Sequence, residues 1–199
     1  MPTLTPQGAA RRAVIFAVAA VLITGGCSTS QSTTPLLTPS TLPSSIPAKP
    51  VFVPYAPKHS PFSLLYPKSW QRGTYDVATT FTDRHDDEIA VATTGEHSAP
   101  TIASVRANYL LNLRPYLGFK LLGIDTVTRP AGRAVRIRYE EASVPNAAGT
   151  RITLDNEQYL FWHRGLLLIL TLSTRHGTNN ARAWRTITNS LAWTTPTAH

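Results

Sequence analysis

Asp83, His85, Asp86, Asp87 and Glu88 place four carboxylates and an imidazole within six residues, the only acidic cluster in the chain. Oxygen ligands on a tight turn are the groups a hard divalent cation prefers. This stretch lacks the glycine and the ligand spacing of a calcium loop, so it reads as the solvated tip of a hairpin and no metal is expected. The six histidines, His59, His85, His97, His163, His176 and His199, are scattered. His163 and His176 flank an apolar run, but no serine or cysteine stands beside either as a nucleophile. Glycine-rich phosphate loops, nucleophile elbows and His-Glu-x-x-His are absent. These residues point away from an enzyme and from any cofactor.

The remaining chemistry belongs to one residue. Cys27 is the only cysteine, so no internal disulfide can form and no cysteine–histidine spacing suits zinc. It follows Arg11-Arg12, a dozen apolar residues from Ala13 to Thr24, and Gly25-Gly26. A basic start, an apolar segment too short to span a bilayer and small residues before a cysteine have the layout of a secretory signal. The stretch Thr24-Gly-Gly-Cys27 resembles a bacterial lipobox, with Thr24 where leucine is usual. That resemblance implies a diacylglycerol on the Cys27 sulfur, cleavage before it, and palmitate-type acylation that holds the chain to the membrane. The same segments also resemble an ordinary signal peptide, a short uncleaved anchor and, through Arg11-Arg12, a twin-arginine export signal.

Charge adds little. The formal net charge is +8, and removal of Arg11 and Arg12 leaves 8 − 2 = +6. No basic run stands out and aromatics do not alternate with arginines, so nucleic acid is not an expected partner.

The elements that must position these residues follow from pattern. Residues 1–26 read as signal peptide and 27–58 as a Ser/Thr/Pro-rich disordered tether on Cys27, since repeated prolines block helix and ladder alike. Val51-Phe52-Val53 can touch the domain edge. Residues 59–194 carry the periodic patterns, and 195–199 form a tail. Phe62–Tyr66 alternates and stops at Pro67. Val77–Thr82 and Ile89–Thr94 form a hairpin about the acidic turn. A helix opens at Pro100-Thr101, with Ile102, Val105, Tyr109, Leu110 and Leu113 on one face. Four strands follow: Phe119–Thr128, Arg133–Ser143, Arg151–Trp162 and Gly165–Ser173. The last is continuously apolar, as suits a strand covered on both faces. A final helix starts near Asn179, capped by Thr178 or Asn179, with Ala181, Trp184, Thr188 and Leu191 inward.

A four-residue loop, Pro145–Ala148, would set Arg138 opposite Asp155 and Arg136 opposite Glu157. The arginines would then be matched and would not form an anion site. Strand, hairpin, helix, four strands, helix is not the alternation of a parallel sheet, so the domain is expected to be α+β, an antiparallel sheet with helices packed on it.

Phe62-x-Leu64-x-Tyr66-Pro67-x-x-Trp70 at the start, Tyr159, Gly165 with the strand to Leu172-Ser173, and Ile187-x-x-Ser190-Leu191 at the end resemble the PsbP-like superfamily, which includes DcrB-type bacterial lipoproteins. The resemblance covers about residues 60–193 and implies an α-β-α sandwich. The layout is also similar to that of mycobacterial LpqN-type lipoproteins. It implies a monomeric, non-enzymatic binding or assembly factor for other envelope proteins, anchored at the cell membrane or outer envelope on its extracytoplasmic side. The alternative is a carrier or sensor of a small apolar ligand or lipid.

Overall fold

The computed structural model describes Ile46, residues 50–58 and residues 60–195. The signal peptide, Cys27 and most of the tether lie outside the described residues, as do His59 and His199.

Among the described residues, ten strands form two antiparallel sheets. The smaller joins β1 (Phe52–Tyr55), β2 (Phe62–Pro67) and β10 (Ala192–Trp193), with β2 in the middle. The larger has seven strands: β3 (Gln71–Tyr75), β4 (Ala78–Thr82), β5 (Glu88–Gly95), β9 (Leu166–Arg175), β8 (Thr153–His163), β7 (Gly132–Ala142) and β6 (Lys120–Arg129), in that spatial order. The hairpin about the acidic turn, the four long strands and the terminal helix all form. β1, β3 and β10 are additions to the pattern the sequence predicts. The domain also starts earlier than residue 59: β1 pairs along β2 from Phe52↔Pro67 to Tyr55↔Leu64, and Ile46 is buried in the core. Apolar residues inside a proline-rich stretch find a strand edge and a core to join, which overrides the local composition.

Helices cover both faces of the large sheet. On one lie α1 (Ile102–Ser104), a π-helical turn (Val105–Tyr109) and α2 (Leu110–Leu113), a continuous run here called the first helix. Thr101 caps it through a reciprocal pair with Ser104. The wide turn changes which residues point inward. Val105, Leu110 and Leu113 are buried against Val135, Ile137, Tyr139 and Leu160, while Ile102 faces out. On the other face α3 (Ala181–Ser190) buries Ala183, Trp184, Ile187 and Thr188 in a core with Phe161, Leu168, Leu170 and Leu172. β9 is apolar from Leu166 to Leu170 because Leu167 looks to one helix layer and Leu168 and Leu170 look to the other. The result is the α-β-α sandwich.

Two details differ from the sequence reading. The N-cap of α3 is Asn180, not Thr178 or Asn179. Its side chain turns into the core, while Asn179 Oδ1 accepts from the Ala181 amide at 3.3 Å. The β7–β8 register is shifted by two: Arg136 lies opposite Tyr159 and Arg138 opposite Glu157, while Asp155 pairs with Glu140. The loop closes later than four residues predict. Asn146 Oδ1 accepts from the amides of Ala148 and Thr150, and Ser143 and Ile152 are joined by backbone and side-chain bonds. A shift of two leaves every side chain on its face, so alternation cannot distinguish the two registers.

Candidate functional site

The acidic cluster does not converge. Asp83 knits its own turn, accepting from the amides of His85 at 2.7 Å and Asp87 at 3.0 Å, with the His85 ring at 3.1 Å. Asp87 points the other way, into the core, where it accepts from Thr174 and from Asn180 Nδ2. Glu88 sits on β5 opposite Ser173.

Beyond α3, the open half of the same sheet face carries a lattice of charges. Arg136 donates to both oxygens of Asp125, at 3.0 and 2.6 Å, and reaches Glu157 at 3.5 Å. The hydrogen-bonded guanidinium holds the Asp125 carboxyl below the usual carboxylate range. Burial, reinforced by Glu157, pushes the Tyr159 hydroxyl up to about 12. Arg136 is therefore matched, with Asp125 as its main partner instead of the foreseen Glu157. Among the described residues, Arg138 has no carboxylate within ion-pair distance. Its guanidinium lies along Gly123 on the adjoining bulged strand, where a Cβ would stand 3.0 Å from Nη2.

Glu140, Asp155 and His176 bring their ligand atoms within 4.8 Å of one another. Protein groups already engage them. Lys120 donates to Glu140 at 3.2 Å, while Asp155 accepts from His176 at 2.8 Å and from the Gly177 amide at 3.0 Å. The hydrogen bond to Asp155 raises the His176 pKa above its ordinary 6.5. A raised folded-state value means the pair stabilises the fold fully below about pH 6.5 and loses that contribution as pH rises through the folded value. Asp155→Asn should return the His176 titration, followed by imidazole proton resonances, towards 6.5; an unchanged midpoint would show that Asp155 is not its partner.

Two features along the first helix are open to solvent. The first is a cleft of about 580 Å³ between the start of the first helix and the sheet. Val135, Leu160, Thr126 and Trp162 form its floor, residues 99–103 its wall, and Arg133 lies along it. The second is an apolar corner where α2 turns into β6. Leu111, Tyr116, Leu117 and Val144 are 55%, 43%, 60% and 56% exposed. The loop is fastened there by a 2.7 Å bond from the Ala142 amide to the Leu117 carbonyl. Neither feature is legible in the sequence. Their residues look like ordinary helix and loop composition until the chain is folded.

No family model matches the sequence, and no curated relative does either. Solved structures do. The Ran-binding protein Mog1p of Saccharomyces cerevisiae superposes with a TM-score of 0.50 at 11% identity, over 73% of this chain and 96% of that one. Cyanobacterial PsbP from a Synechocystis species gives 0.49 at 14% identity, over 71% and 92%. LpqN of Mycobacterium tuberculosis, described as involved in cell envelope biogenesis, gives 0.47 at 14%, over 74% and 90%. The fold is the one Mog1p has, an antiparallel sheet with helices on both faces. At these identities the likeness is one of fold, and function must come from the site. In this domain the cleft and the apolar corner both lie along the first helix, the element with the irregular, π-helical backbone.

Proposed function

We propose that the chain is a lipid-anchored, extracytoplasmic binding module that engages another envelope protein and does no chemistry of its own. The exposed apolar corner carries this reading. Leu111 on α2, Tyr116 and Leu117 on the turn after it, and Val144 on the β7–β8 loop that the Ala142–Leu117 bond fastens alongside are exposed large apolar side chains of the kind a partner surface uses. The carboxylates, histidines and Arg136 described above are spent on structure. Cys27 and its preceding apolar segment support the anchor. A second reading, a carrier for a small apolar ligand, is favoured by the cleft, whose volume falls in the usual range of about 300–1,000 Å³ for ligand sites.

The test uses the full chain expressed in a bacterial host. Wild type should fractionate with membranes and show an intact mass that starts at acylated Cys27; Cys27→Ser should leave a larger, unacylated precursor. A photo-crosslinking side chain at Leu117 should give one discrete adduct whose yield falls several-fold with Leu111→Asp, and the same group at Val77, exposed on the distant β3–β4 turn, should not. Unmodified wild type in the soluble fraction would overturn the anchor. Equal, diffuse labelling from both positions would overturn the docking corner.

A further inference from the structure

The cleft beside the first helix holds one cation and otherwise mostly apolar surface. Val135 and Leu160 are buried at its floor, next to Trp162. Its wall includes Pro100, which has no amide hydrogen to offer. Thr101 is held in its cap with Ser104, so its hydroxyl is already engaged. The lining contains no carboxylate. Arg133 has no ion-pair or hydrogen-bond partner among the described residues, and alternation along β7 puts it on the face of Val135, towards the cleft. An unpaired guanidinium at the lip of an apolar trough complements an amphiphile with an apolar tail and an anionic head. A lone arginine suits a carboxylate, which it can meet with two parallel bonds; a phosphate dianion would call for further donors. The π-helical turn next to it is a geometry that recurs where helices serve binding.

We propose that this cleft binds a single-chain fatty acid, with the acyl tail over Val135 and Leu160 and the carboxylate on Arg133. The proposal rests on the carrier reading and adds the head group and its orientation.

The full chain is placed in lipid vesicles with a photoactivatable fatty acid, and in parallel with the fatty alcohol of the same length. Labelled peptides are mapped by mass spectrometry. The acid should label the segments 99–103 and 160–162 about fivefold more than the alcohol, since an exposed charge pair is worth up to about 1 kcal/mol. Arg133→Gln should bring the acid down to the alcohol's yield, and Arg133→Lys should keep most of the difference. Ala103→Trp, which fills the wall, should abolish labelling of the cleft by both. If acid and alcohol label the cleft alike, or Arg133→Gln changes nothing, the fatty-acid assignment is wrong while the carrier reading stands. If neither probe labels the cleft above the rest of the chain, both fall.

Discussion

Phe161→Ala is expected to lower the free energy of unfolding by about 3–5 kcal/mol, a large fraction of the roughly 5–15 kcal/mol that holds a typical domain together. Phe161 lies on β8, the centre of the four long strands, and is fully buried. Its neighbours across the ladder are Ala134 on β7 and Leu168 on β9, and its ring stacks with Tyr159 at a centroid distance of 6.1 Å. It belongs to the same core as Trp184 and Ile187 of α3. Small neighbours such as Ala134 cannot swell to fill the space a lost ring leaves, and strands paired on both sides cannot collapse inward. The cost is therefore the transfer of the ring plus most of a cavity. Urea unfolding of the full chain measures it, with Leu122→Ala, an exposed site on edge strand β6, expected within about 0.5 kcal/mol of wild type. A loss below about 1 kcal/mol for Phe161→Ala would mean that α3 does not pack on this sheet as described.

The reach of sequence reasoning follows from which constraints are local. The apolar run from Leu166 names itself as a doubly covered strand because both faces of the sheet are buried there. The turn before it, Arg164-Gly165, has both residues at positive φ, 48° and 82°. That is the tight hairpin geometry that glycine permits. Sequence pattern bounds the first helix to within a residue, but a 3.6 period misassigns its inward residues. The π-helical turn inserts a five-residue step from Val105 to Leu110 and leaves Ile102 outside. Strand register is a longer-range matter, since alternation fixes parity and the loop fixes the rest. The cleft depends on that register. Arg133 and Trp162 lie one residue beyond the Ala134–Phe161 pair; the loop foreseen from the sequence would have slid Trp162 two places away from Arg133. Short partners such as β10, two residues long, carry no periodic signal, and they form because β2 offers them an edge.

Asp87→Ala is expected to cost about 2–4 kcal/mol, whereas Asp86→Ala one residue away should stay within about 0.5 kcal/mol. The sequence presents the two as equivalent members of an acidic turn. The backbone separates them: Asp86 sits at a φ of 70° with its side chain exposed, while Asp87 is 1% exposed. The Asp87 carboxylate accepts from the Thr174 hydroxyl with one oxygen and from Asn180 Nδ2 at 3.0 Å with the other. Asn180 Nδ2 in turn lies 3.1 Å from the Thr174 hydroxyl oxygen. Thr174 lies near the end of β9 and Asn180 is the N-cap of α3, so one carboxylate ties the β4–β5 hairpin to the entry of the helix. Removing it leaves two buried donors without their acceptor, and the desolvation of those groups sets the loss. Asp87→Asn keeps the shape but turns an amide towards one of the donors, so an intermediate loss is expected. The decisive measurement is a double-mutant cycle with Asn180→Ala by urea unfolding. Coupling of about 0.5–3 kcal/mol between the two sites identifies a shared network. Strictly additive losses would show that Asp87 and Asn180 act independently, and equal small losses for Asp86 and Asp87 would return the whole cluster to solvent.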